Sequence, residues 1–91
     1  MATSYKAKHI LLEDLEDATE LREQIVQGYS FEKLAIEFPE CDTARNGGML
    51  GRFSSGTMDA EFERALFHMN VGELSKPVKT KFGYHLIVRI E

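Results

Sequence analysis

Residues 84–90, Tyr-His-Leu-Ile-Val-Arg-Ile, form the most apolar strand-like run in this chain, consistent with a central position in a sheet. A second run at the opposite end, residues 5–13, is partly apolar and free of Gly and Pro. As a strand it puts Tyr5, Ala7, His9 and Leu11 on one face. Between these runs the apolar period changes to that of helices. Leu15, Ala18, Leu21 and Ile25 share a helical stripe that Gly28 is suited to end in the left-handed conformation. Ser30 can cap a second helix carrying Phe31, Leu34, Ala35 and Phe38, closed by Pro39.

The polar stretch 40–48 predicts a loop with at most a short helical turn, and 49–54 a strand followed by the turn Ser55-Gly56. Met58, Phe62, Ala65, Leu66 and Met69 mark a third helix, with Asp59, Glu61 and Glu63 near its positive end. Residues 71–74 form a turn-like link. Residues 75–79 are expected to be an edge strand that tolerates Pro77, joined to the last strand through Lys81, Phe82 and Gly83. The order β, α, α, β, α, β, β describes an α+β domain on a mainly antiparallel sheet. At 91 residues the chain suits one core and one domain spanning 1–91.

Composition narrows the function classes. A net charge of −4 has the wrong sign for binding a phosphate backbone, so nucleic acid is not an expected partner. No apolar run approaches the roughly 20 residues that span a bilayer, and residues 1–8 lack the pattern of a secretory signal. The expectation is a cytoplasmic protein with no membrane partner. The lone Cys41 cannot form an internal disulfide, which leaves it packing, metal-ligand or thiol roles. The acids between Glu13 and Glu23 have only Arg22 as counter-charge and read as a solvated helix face.

Two of the three histidines, His9 and His85, sit in the two end strands. Each alone is ordinarily a half-buried core histidine. If the end strands are neighbours, the rings can hydrogen-bond each other, and Cys41, Thr43 or Thr80 can extend a buried polar network. No Cys-x-x-Cys or His-x-x-x-His spacing occurs, so no metal site is expected. A Cys/His nucleophile remains open on composition, although the surroundings of Cys41 match no local protease signature. Gly47, Gly48 and Gly51 lack the residues of a phosphate loop and fit a strand entry or a bulge better. Met58 and Phe62 at helical spacing read first as core.

Taken together, several segments resemble the parvulin rotamase family: His9-Ile10-Leu11, the run 47–53 (GGMLGRF), Gly56-Thr57-Met58 with Phe62, the run 71–75 (VGELS) with Pro77-Val78, and the run 82–87 (FGYHLI). The blocks occur in the family's order from His9 to Ile90. The resemblance implies a four-stranded antiparallel sheet surrounded by about four helices, and a peptidyl-prolyl cis/trans isomerase that assists folding. It implies catalytic positions at His9, Cys41, Thr80 and His85, and a proline pocket at Met58 and Phe62 with Phe82 completing the wall and Leu50 nearby. The expected partners are proline-containing peptides and unfolded or partly folded proteins, bound by a monomer without cofactor or metal. One branch of the family reads phosphoserine or phosphothreonine before proline through basic residues after the first strand. Here that region holds Glu13, Asp14, Glu16 and Asp17, which repel a phosphate and point to the non-phospho-specific branch.

Overall fold

The computed structural model describes residues 4–37, 48–54, 56 and 58–91. Its elements are β1 (Ser4–Leu12), α1 (Leu15–Val26), α2 (Phe31–Glu37), β2 (Met49–Ser54), α3 (Ala60–Phe67), β3 (Val78–Thr80) and β4 (Gly83–Arg89). The four strands form one sheet in the order β2-β1-β4-β3, with every pair antiparallel. The chain is α+β as expected, with three helices among the described residues. The predicted end of the second helix at Phe38 and Pro39, the 40–48 loop up to Gly47, and Cys41, Thr43 and Arg45 lie outside them.

β1 and β4 occupy the centre, and strand alternation lets them feed two cores. Ile10, Leu12 and Leu86 point to one face, where they meet Ala18 and Leu21 of α1 and Phe31, Leu34 and Ala35 of α2. Tyr5, Ala7 and Ile87 point to the other, where they meet Phe53 of β2, Phe62 and Leu66 of α3, and Met69. Burial on both faces explains why β4 reads as nearly continuous apolar sequence. Each fully buried Leu or Ile, among them Ile10, Leu86 and Ile87, contributes about 2 kcal/mol by removal from water.

Local signals close the helices. At the end of α1, Gly28 has φ 114°, its N–H bonds to the Ile25 carbonyl, and the Tyr29 N–H bonds to the Gln24 carbonyl. This is a Schellman closure, and it needs the left-handed residue that glycine supplies. The Ser30 hydroxyl accepts the Lys33 N–H at 3.3 Å and caps α2. α3 begins later than the Met58 stripe suggests, because extended Asp59 caps it by accepting the Glu61 N–H at 3.3 Å. Met58 therefore stays in the preceding loop.

The edge next to β4 also differs from the predicted strand 75–79. Leu74 bridges Val88 and the Ser75 N–H bonds to the Ile87 carbonyl, but regular pairing resumes only at Val78. Pro77 has no N–H to contribute to a ladder, which splits this edge into a bridge and a short strand. On the opposite side, the β1–β2 register shifts between Ala7 and Lys8. There Gly48 has φ 85° and lies so close to the His9 carbonyl that a Cβ would collide with it, while its own carbonyl accepts the His9 N–H at 2.9 Å. Gly48 thus serves a strand entry beside a register shift, the bulge-like role expected of it, while Gly47 lies outside the described residues.

Candidate active site

In the β1–β4 ladder His9 faces Ile87 and Leu11 faces His85, which sets the two histidines diagonally on the face covered by α3. Their rings stack at 12° with centroids 5.1 Å apart, and the two Nδ1 atoms are 2.9 Å apart. His85 Nε2 lies 2.8 Å from the Thr80 hydroxyl across the β3–β4 hairpin. The Phe82 N–H donates to the same hydroxyl at 3.2 Å. With that lone pair occupied, the hydroxyl proton can go to His85 Nε2, which puts the shared ring proton on His85 Nδ1 and makes His9 Nδ1 the acceptor. The assignment follows from hydrogen-bond directions, and either way one proton lies between the rings.

All three side chains are buried, His9 to 5%, His85 to 6% and Thr80 to 6% exposure. Burial, helped by the neighbouring His85, lowers the His9 pKa from 6.5 to about 4. Burial also lowers that of His85, against the opposing pull of the Asp59 carboxylate. Near neutral pH both rings are uncharged. One added proton can be held while the Nδ1–Nδ1 bond survives, whereas two would set N–H against N–H and break it.

Phe62, from α3, closes the pair from above. Its ring meets His9 edge-on at 5.6 Å and 83°, and His85 at 5.3 Å and 86°. Such edge-to-face packing fixes ring orientation as well as burying area. Leu50 of β2 and Met58 of the loop pack half-buried against the core cluster that contains Phe62, and among these three it is Phe62 whose ring contacts with the histidines are described. Phe82 stands apart from this group in burial. It lies at the hairpin tip, 63% exposed, with the Lys81 ammonium 5.2 Å from its ring centre. Its described link to the site is its backbone N–H on Thr80.

Two acids next to Met58 enter the site description although the pattern of apolar residues did not single them out for it. Asp59 is held below the usual carboxylate range by hydrogen bonding with Glu61, with the Lys81 charge, and in acid the protonated His85, adding to the effect. The Glu63 carboxylate accepts the Gly56 and Met58 N–H groups. The available signal was an acid in the first turn of a helix that follows a Gly-containing loop.

Residues 8–91 match the rotamase family described as the PPIC-type PPIase domain. The chain belongs to that family. It is a peptidyl-prolyl cis/trans isomerase domain of parvulin type, and its antiparallel sheet and helices match those of solved parvulins. A similar curated protein is the foldase protein PrsA of Caldanaerobacter subterraneus, 46% identical over 84 residues, covering 90% of this chain and 27% of that protein. Similar solved structures include the PrsA peptidylprolyl isomerase of Bacillus anthracis, with TM-score 0.92 and 39% identity over 94% of this chain and 40% of that one. The parvulin NmPin of Nitrosopumilus maritimus matches with TM-score 0.86 and 38% identity, over 100% of this chain and 99% of that one. The PPIC-type domain thus spans well under two thirds of the PrsA relatives and nearly the whole of NmPin.

Proposed function

We propose that the 91 residues act as one catalytic domain that speeds isomerisation of X-Pro bonds in peptides and unfolded chains without covalent chemistry. The supporting observation is the neutral chain His9–His85–Thr80, buried beneath the edge-on Phe62 ring. Rotation about the prolyl amide faces a barrier of about 18–20 kcal/mol because the planar amide is conjugated. The twisted transition state is less conjugated and less dipolar, so an apolar surface that grips the proline and displaces water favours it over the ground state. Met58, Phe62 and Leu50 are the residues assigned to that grip, with the exposed Phe82 free to close on a bound peptide. Each tenfold in rate takes only about 1.4 kcal/mol of preferential transition-state binding.

In this reading His9 and His85 position the site rather than exchange protons with substrate. A general acid–base pair at neutral pH requires a group that is protonated there, and burial holds both rings neutral. Cys41 is assigned to tuning the electrostatics near the substrate carbonyl. The substrates proposed are non-phosphorylated X-Pro segments, in keeping with exposed Glu13, Asp14, Glu16 and Asp17 after β1. The domain is proposed to act as a monomer. Action in the cytoplasm is likewise proposed; among the described residues no helix is long and apolar enough to cross a membrane.

A protease-coupled isomerisation assay on a short Ala-Pro or Leu-Pro peptide tests the proposal. Acceleration proportional to domain concentration supports it. Binding of unfolded chains with no acceleration would instead identify a peptide-holding module built on the same apolar surface.

A further inference from the structure

Met58 lies in the loop that precedes α3, half-buried against the core cluster that contains Phe62. Its backbone is tied to α3 by one side chain. The Gly56 N–H donates to both oxygens of Glu63, at 2.8 and 2.9 Å, and the Met58 N–H donates to Oε2 at 2.8 Å. The Glu63 N–H in turn donates to the Asp59 carbonyl at 3.0 Å. Glu63 therefore holds the loop on both sides of Met58, from the position next to Phe62 in the chain. Bonds from N–H groups to an ionised carboxylate are shorter and roughly twice as strong as neutral ones.

We infer that Glu63 is a positioning residue of the isomerase, whose carboxylate fixes the backbone at Gly56 and Met58 so that Met58 is pre-set for Phe62 before a peptide arrives. The inference rests on the reading of Met58 and Phe62 as the proline grip. A pre-set wall saves the ordering that a loose loop would undergo on binding, so its loss weakens substrate affinity first. Neutralising the carboxylate removes the double acceptor: the amide nitrogen of glutamine cannot accept the Gly56 N–H, and one neutral oxygen must serve both donors. The Gly56 N–H is exposed, so water can replace its acceptor, while that of Met58 is part-buried.

The decisive experiment is a double-mutant cycle of Glu63→Gln and Met58→Ala, read as separate kcat and KM values on one X-Pro peptide. Glu63→Gln is expected to raise KM about tenfold, the size of a charged hydrogen-bond contribution, with kcat changed less than about twofold. In the Met58→Ala background the same substitution is expected to add little, because its effect runs through Met58. An effect of Glu63→Gln that is absent, or fully additive with that of an impaired Met58→Ala, overturns the role of Glu63 and leaves the proline grip standing. An unimpaired Met58→Ala overturns the grip and this inference with it. Amide exchange in the wild-type domain gives an independent reading should Glu63→Gln fail to fold. Gly56 and Met58 are expected to exchange more slowly than unbonded loop amides, and exchange at the unprotected rate overturns the clamp.

Discussion

The two faces of the sheet are built from the same central strands and filled in different ways. Toward α1 and α2, β1 and β4 present Ile10, Leu12 and Leu86 to an apolar core. Toward α3 they present Ala7 and Ile87 together with His9 and His85, and Thr80 joins from the hairpin. Buried imidazoles stabilise less than the hydrocarbon that could occupy the same space, since each must be desolvated and matched by a partner. They bring a fixed, uncharged polar floor under Phe62. One face supplies stability and the other combines stability with a site, so the same kind of damage should have different consequences on each.

Truncation gives the largest contrast. Phe62→Ala, on the site face, should lose about 3–5 kcal/mol of stability and also lower kcat/KM per folded molecule. Leu86→Ala, fully buried on the opposite face, should lose about 2–5 kcal/mol while its folded fraction keeps normal turnover. Circular dichroism melts alongside the isomerase assay check both. Equal kcat/KM in folded Phe62→Ala and wild type would erase the distinction between the faces.

Acid should reach the site face selectively. The folded His9 pKa of about 4 lies below its ordinary 6.5, so below pH 6.5 the unfolded chain takes up a proton that the folded chain refuses. Stability is full above that value and falls as pH drops toward 4, and the lowered His85 adds loss of the same sign. While only the unfolded state is protonated each pH unit removes about 1.4 kcal/mol, so the His9 contribution to the loss between pH 7 and 5 is about 2 kcal/mol. Urea titrations at those two pH values measure it. The fall should shrink in His9→Phe and persist in Leu86→Ala.

A smaller effect is expected at Cys41. If it tunes the carbonyl environment, Cys41→Asp keeps appreciable activity, since a carboxylate can hydrogen-bond in its place. Complete loss of turnover in folded Cys41→Asp, with rapid inactivation of the wild type by thiol reagents, would make it a nucleophile. The least change is expected on adding phosphate to the substrate: peptides with Leu, Ala, Phe or Met before proline should be turned over at least as fast as the phosphoserine peptide at low salt. Lys8, a basic residue of β1, is already paired with Glu32 of α2. A clear phosphoserine preference would assign a phosphate site to Arg45, Arg52 or a lysine.

What the sequence determined by itself was local. Period-two and period-3.6 patterns mark β1, α1, α2 and β2, and Gly28 and Ser30 end or begin helices where their backbone and side-chain chemistry requires. From the residue pattern alone, apart from the family resemblance, the pairing of His9 with His85 was legible only as a condition, that the end strands be neighbours. Tertiary structure met that condition by bringing together residues from opposite ends of the chain, and the ladder register then set the rings within hydrogen-bonding distance. It also decided matters that no apolar period encodes. Asp59 takes the cap and leaves Met58 in the loop, Pro77 interrupts the edge, Phe82 ends exposed at a hairpin tip, and Glu63 reaches back to two loop N–H groups. Apolar periods record which face of an element is buried. Which donor meets which acceptor depends on how separate elements are set against one another, and that is settled only when the two cores close on the sheet.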